Sequence, residues 1–260
     1  MLFFPRMESS LNHGERPQFA LRPVPGASDS DDVLTALLPT WSRLQVATKQ
    51  AEAFGAGGDF FEVLQHREGR VTTIMADVCG KGPGAAMVAD AVRPVMRRCL
   101  ARDDAPGTIL TVANSWLARQ FPETFVTAVA VRIDVASGHT EIASAGHLGP
   151  FVRRWSGAVE ALSSAGGLPL GMLPGQWYPD VTLELDPHDA VVLVTDGITD
   201  PLATNDDVLG EQGLLARLAS APHGTADICH ALLADDAPAR DDATVLVLQL
   251  PARASMADAA

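Results

Sequence analysis

The chain has 260 residues, of which 47% are hydrophobic, 20% charged and 5% aromatic, and its formal net charge is −13. This balance is typical of a globular protein with one large domain or two small ones, and it excludes a mainly disordered chain. The acidic charge argues against nucleic acid as a partner, because binding to a phosphate backbone needs a basic surface. Every apolar run is shorter than the ~20 residues of a membrane helix, so we predict no membrane partner.

Two further features concern the compartment. The first six residues lack the basic lead of a signal peptide, and we predict a cytoplasmic protein. The cysteines are odd in number and widely spaced, which argues against a disulfide framework or a zinc cluster and favours reduced thiols: Cys79, Cys99 and Cys229.

The N-terminal part of the chain has little apolar periodicity. Residues 1–30 are rich in proline, serine and charge, and we predict an irregular arm there. Serine and acidic residues before the apolar stretch 33–38 predict a short helix that ends before Pro39. An alternating pattern then predicts a strand over residues 43–48.

The middle of the chain predicts a hairpin followed by a pair of helices. Two strand-like runs, 60–66 and 71–78, are joined by a charged turn that contains glycine, which is typical of an antiparallel hairpin. Good helix formers predict a helix over 85–102 with a kink at Pro94, and helical spacing of apolar residues predicts another over 108–120.

The second half repeats this order, with strands first and helices after them. We predict strands over 124–134, 139–144, 150–155, 176–185 and 190–195, helices over 208–220 and 225–234, and a last strand over 243–250. Regular alternation of strand and helix, the mark of a parallel sheet, is missing. We therefore predict an α+β fold of antiparallel sheets covered by helix pairs, as a single domain over 31–251 with a flexible tail over 252–260.

Acidic residues stand beside glycines at the ends of predicted strands. The segment Gly57-Gly58-Asp59 precedes a strand, Asp77 and Asp196 each end one, and the pair Asp241-Asp242 begins the last. Each motif alone is typical of an ordinary turn. Carboxylates gathered at one end of the sheets would repel one another unless a hard cation lies between them, and Mg²⁺ or Mn²⁺ is the usual ion. Two such ions would clamp a phosphoryl group for in-line attack.

These acids belong to an ordered set of blocks that resembles the catalytic domain of PPM-type (protein phosphatase 2C-like) Ser/Thr phosphatases, in their bacterial SpoIIE/RsbU branch. The blocks start at Leu37, Gly57, Asp77, Ala145, Gly167, Val194 and Asp241, and the resemblance extends to about Leu250. It implies an antiparallel β-sandwich flanked by pairs of helices, in four layers α-β-β-α.

The resemblance also implies a dinuclear site for two Mn²⁺ or Mg²⁺ ions, with the choice of ion left open. Its ligands and catalytic residues would be four acids and one backbone carbonyl: Asp59, Asp77 with the carbonyl of Val78, Asp196 and Asp241. Asp241 is preferred over Asp242 as the ligand of that pair. The attacking group would be water held by the metals, and the residue that protonates the leaving oxygen and the residues that bind substrate stay unassigned.

Several neighbours of the acids depart from the family pattern or have a structural interpretation. Cys79 stands where the branch usually has serine, and we interpret it as packing. His147 lies in a family block, and we interpret it as a hydrogen-bonded structural residue. The glycines at 80, 82 and 84 would let the backbone turn tightly before the first helix.

A dinucleotide-binding loop at Gly80-x-Gly82-x-x-Ala85 is rejected. Asp77 would face the pyrophosphate, and Pro83 removes one N–H from the loop. A Walker loop is excluded because glycine, not serine or threonine, follows Lys81.

The implied function is metal-dependent hydrolysis of phosphoserine or phosphothreonine. The implied substrate is a small STAS-type anti-sigma-factor antagonist in bacterial partner switching, with a regulatory partner or a homodimer left open. The alternative is a latent or non-catalytic binding module of the same fold, whose sign would be a lost acid. A row of arginines on the first helix is either a docking face for an acidic partner or a solvated basic face: Arg93, Arg97, Arg98 and Arg102.

Overall fold

The computed structural model describes residues 57–66, 69–162, 166–199, 210–233 and 242–252, together with the backbone of three strands between residues 22 and 51. The strands are β1 (Arg22–Pro23), β2 (Leu34–Ala36), β3 (Gln45–Ala51), β4 (Phe60–Gln65), β5 (Arg70–Val78), β6 (Val126–Asp134), β7 (His139–Ala145), β8 (Phe151–Arg153), β9 (Val159–Ala161), β10 (Val181–Glu184), β11 (Ala190–Val194) and β12 (Ala243–Gln249). The helices are α1 (Pro83–Ala101), α2 (Pro106–Gln120), α3 (Glu211–Ser220) and α4 (Thr225–Leu232).

The strands form two sheets in which every pairing of named strands is antiparallel. One sheet has the order β1-β2-β3-β12-β11-β8-β9, and the other has the order β10-β7-β6-β5-β4. The α+β class and the antiparallel sheets predicted from the sequence are confirmed. The hairpin of β4 and β5 pairs Phe60 with Ala76 and Gln65 with Val71, as its glycine-containing turn predicts.

Three apolar cores separate four layers. Alternate residues of β5 point to opposite faces of the sheet, because the side-chain period of a strand is two. Ile74 and Ala76 pack in the core under α1 and α2, whereas Met75 packs between the two sheets. The outer face of the seven-stranded sheet packs against α3 and α4 through residues such as Val192 and Leu214. The order of layers is therefore α-β-β-α, with the sandwich in the centre.

Some predicted elements differ from the structure. Residues 34–36 form strand β2, so the predicted helix over 33–38 is wrong; the backbone pairs with β3 instead. The predicted strand 176–185 is formed only at Val181–Glu184, because the backbone before it is bound to helix α2: the N–H of Tyr178 donates to Thr111 Oγ1 (3.3 Å). Strand β9 was missed. The short strand β1 lies within the segment predicted as an irregular arm.

Two features bear on compartment and partners. Among the described residues, every helix is too short or too polar to cross a bilayer. None of the three cysteines, all of which are described, forms a disulfide, and Cys99 and Cys229 are buried.

Candidate active site

The strand register brings Asp59 and Asp77 together at one end of the five-stranded sheet. Asp59 directly precedes β4, and extending the pairing of Phe60 with Ala76 by one position places Asp59 opposite Asp77. Asp77 is in turn paired with Thr127 on β6. Opposed residues of antiparallel strands point to the same face with Cβ atoms about 5 Å apart. Two acids far apart in sequence therefore lie side by side.

The seven-stranded sheet brings Asp196 and Asp242 to the corresponding end. Asp196 begins a 3₁₀ turn that follows β11, and Asp242 directly precedes β12. The two strand ends are joined by Thr195 and Thr244: the Thr195 N–H donates to the Thr244 carbonyl (3.0 Å), and the Thr244 N–H donates to Thr195 Oγ1 (2.9 Å). These two hydrogen bonds fix the backbone next to each acid, and so the positions of Asp196 and Asp242 relative to each other.

A hydrogen bond to Asp59 connects the two sheets. Thr244 Oγ1 donates to Asp59 Oδ2 over 3.0 Å, and Thr195 also hydrogen-bonds to the Asp59 carboxylate. Both threonines are completely buried, and Asp59 itself is buried. An acid from the five-stranded sheet is thus anchored on the ends of two strands of the other sheet.

The pKa of Asp59 is affected by the acids at the same end of the sandwich. Burial raises the pKa of Asp59, and the negative charges of Asp242 and Asp196 raise it further, against the lowering effect of the two threonine hydrogen bonds; the result is a pKa of about 7. Carboxylates influence one another in this way only at short range or in poorly screened surroundings. The negative charges of Asp196 and Asp242, on one sheet, therefore act on Asp59, on the other.

Two glycines let the backbone approach Asp242 closely. A Cβ added at Gly57 would lie 1.9 Å from Asp242 Oδ2, and one added at Gly197 would lie 2.1 Å from the Asp242 carbonyl oxygen. Gly80 and Gly82 have φ angles of 109° and 71°, in the left-handed region that favours glycine, and Gly82 directly precedes α1. Gly84 does not share this conformation; it lies in the first turn of α1.

Replacing Gly197 by alanine should therefore damage the site. The added methyl group collides with backbone rather than with a flexible side chain, so β12 and Asp242 must move away from the turn at Asp196. We expect a loss of more than about 1 kcal/mol in the free energy of unfolding. The matched control is Gly84→Ala, where an added Cβ meets no atom within 4 Å. Chemical denaturation of both variants checks this, and equal stability would contradict it.

The predicted site residues fall into three groups. Asp59, Asp77 and Asp196 lie at the same end of the sandwich; Asp77 is half-buried and Asp196 is exposed. The carbonyl oxygen of Val78 faces Gly58, where an added Cβ would lie 2.9 Å from it. Asp241 lies outside the described residues, so its role stays a prediction. Among the residues that are described, no three acidic, histidine or cysteine side chains are grouped closely enough to hold an ion.

Three residues close to the acids were missed or interpreted otherwise from the sequence. Thr195 directly precedes Asp196 and Thr244 follows Asp241 by three residues, and the position of each threonine at the end of an apolar strand was the available signal. Cys79 is exposed, so its interpretation as packing is wrong. It follows β5, and its backbone N–H donates to the Phe125 carbonyl (3.1 Å).

His147 has the structural character that the sequence predicts. Its ring is buried, and Nδ1 lies 3.0 Å from Thr127 Oγ1. Burial lowers its pKa to about 4, so the ring is neutral at pH 7.

The arginines of α1 are largely engaged within the chain. Arg93 and Arg97 form ion pairs with Glu62 on β4, with N–O distances of 3.5 and 2.9 Å, and Arg102 pairs with Asp104. Arg93 and Arg97 therefore join the helix to the sheet, while Arg97, Arg98 and Arg102 are exposed, so the choice between a docking face and a solvated basic face stays open.

An α-β-β-α sandwich with acids from both sheets at one end is the architecture of PPM-type phosphatases. The structure of the PP2C phosphatase domain of SpoIIE from Bacillus subtilis has a TM-score of 0.67 to this chain at 19% identity, covering 80% of this chain and 62% of that one. The structure of RsbX in complex with magnesium has a TM-score of 0.66 at 17% identity, covering 84% and 99%. At such identities the likeness concerns the fold.

The comparison of the sequence with family profiles identifies the family. The profile described as Stage II sporulation protein E (SpoIIE) matches residues 67–251, which is more than half of the chain. The chain belongs to this family, and the SpoIIE/RsbU branch of the resemblance is confirmed. Protein IcfG of Synechocystis is 24% identical over 221 residues, which are 74% of this chain and 35% of that protein. The chain thus spans about a third of that curated relative.

Proposed function

We propose that the chain is a metal-dependent protein serine/threonine phosphatase. The observation that carries this proposal is the meeting of acids from both sheets at one end of the sandwich: Thr244, two residues after Asp242, donates to the carboxylate of the buried Asp59 over 3.0 Å, and the charges of Asp242 and Asp196 raise the pKa of Asp59. Such a group is costly for the fold, since like charges at close range repel. A cation bound among them would remove that cost.

The residues fit the ions that the family implies. Carboxylate oxygens and a backbone carbonyl are the donors that Mg²⁺ and Mn²⁺ prefer, and RsbX, which has the same fold, was solved with magnesium. We propose that two ions are held by Asp59, Asp77, the Val78 carbonyl, Asp196 and Asp241. When bound, such ions lower the pKa of water for attack on phosphorus and neutralise the phosphoryl charge.

Three residues of the chain bear on how this chemistry would proceed: one orients a proposed ligand, one is open to the substrate, and one is excluded as the proton donor. Thr244 holds one oxygen of Asp59 by a hydrogen bond, which fixes the orientation of the carboxylate. Asp196 is exposed and so faces the side from which a phosphoprotein can enter. His147 is neutral at pH 7 and buried, so it is not the source of the proton that the leaving serine or threonine oxygen takes up.

The proposed substrate is a phosphorylated STAS-type anti-sigma-factor antagonist in partner-switching signalling in the cytoplasm. Membership of the SpoIIE family supports a regulatory phosphatase of this kind. A regulatory partner or a second copy of the chain would then control when the site is active.

Phosphate release tests the proposal. We expect the chain to hydrolyse an aryl phosphate and a phosphoserine peptide with Mn²⁺ or Mg²⁺, and neither substrate with chelator. Equal release with and without chelator would contradict the metal-dependent mechanism. If neither substrate is hydrolysed, calorimetric titration with Mn²⁺ separates the alternatives: binding identifies a latent phosphatase, and absence of binding identifies a non-catalytic module.

A further inference from the structure

The core between the two sheets becomes polar at the end that carries the acids. Met75 of β5 and its partner Val129 of β6 pack between the sheets. Two positions closer to the acids, the paired residues are Asp77 and Thr127, which point to the same face because the side-chain period of a strand is two. The five-stranded sheet therefore presents polar side chains to the other sheet at this end.

His147 lies in this polar end of the core, between the two sheets. Its ring is buried, and Nδ1 lies 3.0 Å from Thr127 Oγ1 on β6. Burial lowers the pKa of His147 to about 4, and the backbone carbonyl of Val194 acts in the opposite direction. A neutral carbonyl has such an effect on a ring only at hydrogen-bonding range. The ring is therefore in contact with β6 of one sheet and with the end of β11 in the other.

Both contacts of the ring stand next to proposed metal ligands. Thr127 is directly opposite Asp77, with Cβ atoms about 5 Å apart, so the hydrogen bond to His147 also orients a hydroxyl beside that carboxylate. Val194 ends β11 and stands two residues before Asp196. A single buried ring thus contacts the neighbours of one acid from each sheet.

Stability alone does not account for a histidine at this position. Its Nε2 is buried, and within the part of the chain that the structure describes no atom stands in good hydrogen-bonding geometry to it. A buried polar atom without a partner lowers the free energy of unfolding, and an apolar side chain of similar size would avoid that cost. Residues that reduce stability in this way are typical of functional sites.

We propose that His147 is a positioning residue for the metal site, an inference that rests on the proposed metal-dependent function. It holds Thr127 of β6 and the end of β11 against the same ring. The result is that Asp77 and Asp196, which belong to different sheets, keep fixed relative positions. His147 is not a ligand in this role, because it acts through Thr127 and through the backbone at Val194. Residues that support ligands in this way typically contribute about 10–100-fold to metal affinity.

Calorimetric titration with Mn²⁺ tests the inference on variants of matched shape. These are Thr127→Val, His147→Leu and their combination, together with Thr127→Ser, which keeps the hydroxyl. The combination removes both partners of the hydrogen bond at once and so leaves neither of them unpaired in the core.

The matched control is Thr140→Val. Thr140 belongs to the same sheet, and its hydroxyl also donates a hydrogen bond, to the Gly138 carbonyl (3.0 Å). It is fully buried, but it lies at the start of β7, at the other end of the sandwich from the acids. Urea unfolding of every variant in chelator measures stability separately from metal binding.

We expect the combined variant to bind Mn²⁺ about tenfold to a hundredfold more weakly than the wild type. Its midpoint of urea unfolding should match that of the wild type, because no buried polar group loses its partner. His147→Leu alone should lose as much affinity as the combination, since contacting residues that act as one unit are not additive. Thr127→Ser and the control should bind Mn²⁺ with the affinity of the wild type.

Wild-type affinity in the combined variant would overturn the inference. So would losses of the two single variants that multiply in the combination, because the two side chains would then act independently. A loss of affinity that follows the loss of stability in the combined variant and in the control alike would show a merely structural role, which also overturns it.

Failure of the proposed function is a different result. If the wild type binds no Mn²⁺, the metal site itself is wrong, and the positioning inference falls with it. If the wild type binds Mn²⁺ but releases no phosphate, the phosphatase assignment fails, while the Mn²⁺ affinities of the variants still decide the role of His147.

Discussion

Replacement of Asp196 by asparagine should reduce metal-dependent phosphate release by more than about a hundredfold. Loss of a group that merely supports a metal ligand typically costs 10–100-fold in affinity or activity, so loss of a ligand's charge costs more. Asparagine keeps the size of the side chain. The side chain of Asp196 is exposed, and the turn that it begins is held by backbone bonds, including the Thr199 N–H to the Asp196 carbonyl (2.8 Å). The fold should therefore be intact.

The matched control is Asp186→Asn. Asp186 is also exposed and acidic, but it lies between β10 and β11, at the other end of the sandwich. Rates of aryl phosphate hydrolysis at saturating Mn²⁺, with circular dichroism of each variant, make the comparison. Wild-type turnover by Asp196→Asn would show that the dinuclear assignment is wrong.

The contribution of Asp59 to the stability of the metal-free protein should fall as the pH rises from about 4 to about 7, whereas the buried His147, with its pKa lowered to about 4, contributes in the opposite direction. The Asp59 carboxyl has a pKa of about 7 in the fold, against a value near 4 in an unfolded chain. Between these values the folded protein retains a proton that the unfolded chain has lost, so raising the pH favours unfolding. At about 1.4 kcal/mol for each pH unit, Asp59 alone contributes a decrease of about 3–4 kcal/mol.

Asp59→Asn should remove this contribution, so that the stability of the variant rises more steeply with pH than that of the wild type. The amide oxygen can still accept the hydrogen bond of Thr244, but the side chain no longer titrates. Urea unfolding in chelator at several pH values, for the wild type and the variant, measures the difference. In the wild type, Mn²⁺ should stabilise the fold more strongly at pH 7 than at pH 5, because metal ligands must be deprotonated. Identical slopes for both proteins in chelator would contradict the burial of a titrating Asp59.

Local patterns predict most of the fold because hairpins and amphipathic helices are specified by neighbouring residues. The pairing of β4 with β5 follows from alternation and one turn, and α2 follows from apolar spacing. The segment 33–38 shows where such reasoning fails. Its acidic start is typical of a helix, but the backbone there is fixed by pairing with β3, a partner that local sequence does not reveal.

The same limit applies to the site. The acids stand out because each lies beside a glycine at a strand end. Thr195 and Thr244 do not stand out in the sequence, because threonine is common in strands. Their role follows only from the sheet register, which places both beside Asp59. The anchoring of the loop at Gly171 on helix α2 was also beyond prediction, since the Gly171 N–H donates to Asn114, 57 residues earlier in the chain.

The division of the acids between two sheets makes the site sensitive to how the sheets slide over each other. Asp59 and Asp77 move with one sheet, and Asp196 and Asp242 move with the other. In the proposed metal site, ligand distances would be held to about 0.2 Å, so a displacement of one layer on the order of 1 Å would open the proposed ligand set. Sliding of one sheet over the other would therefore regulate the proposed chemistry without any contact at the acids themselves.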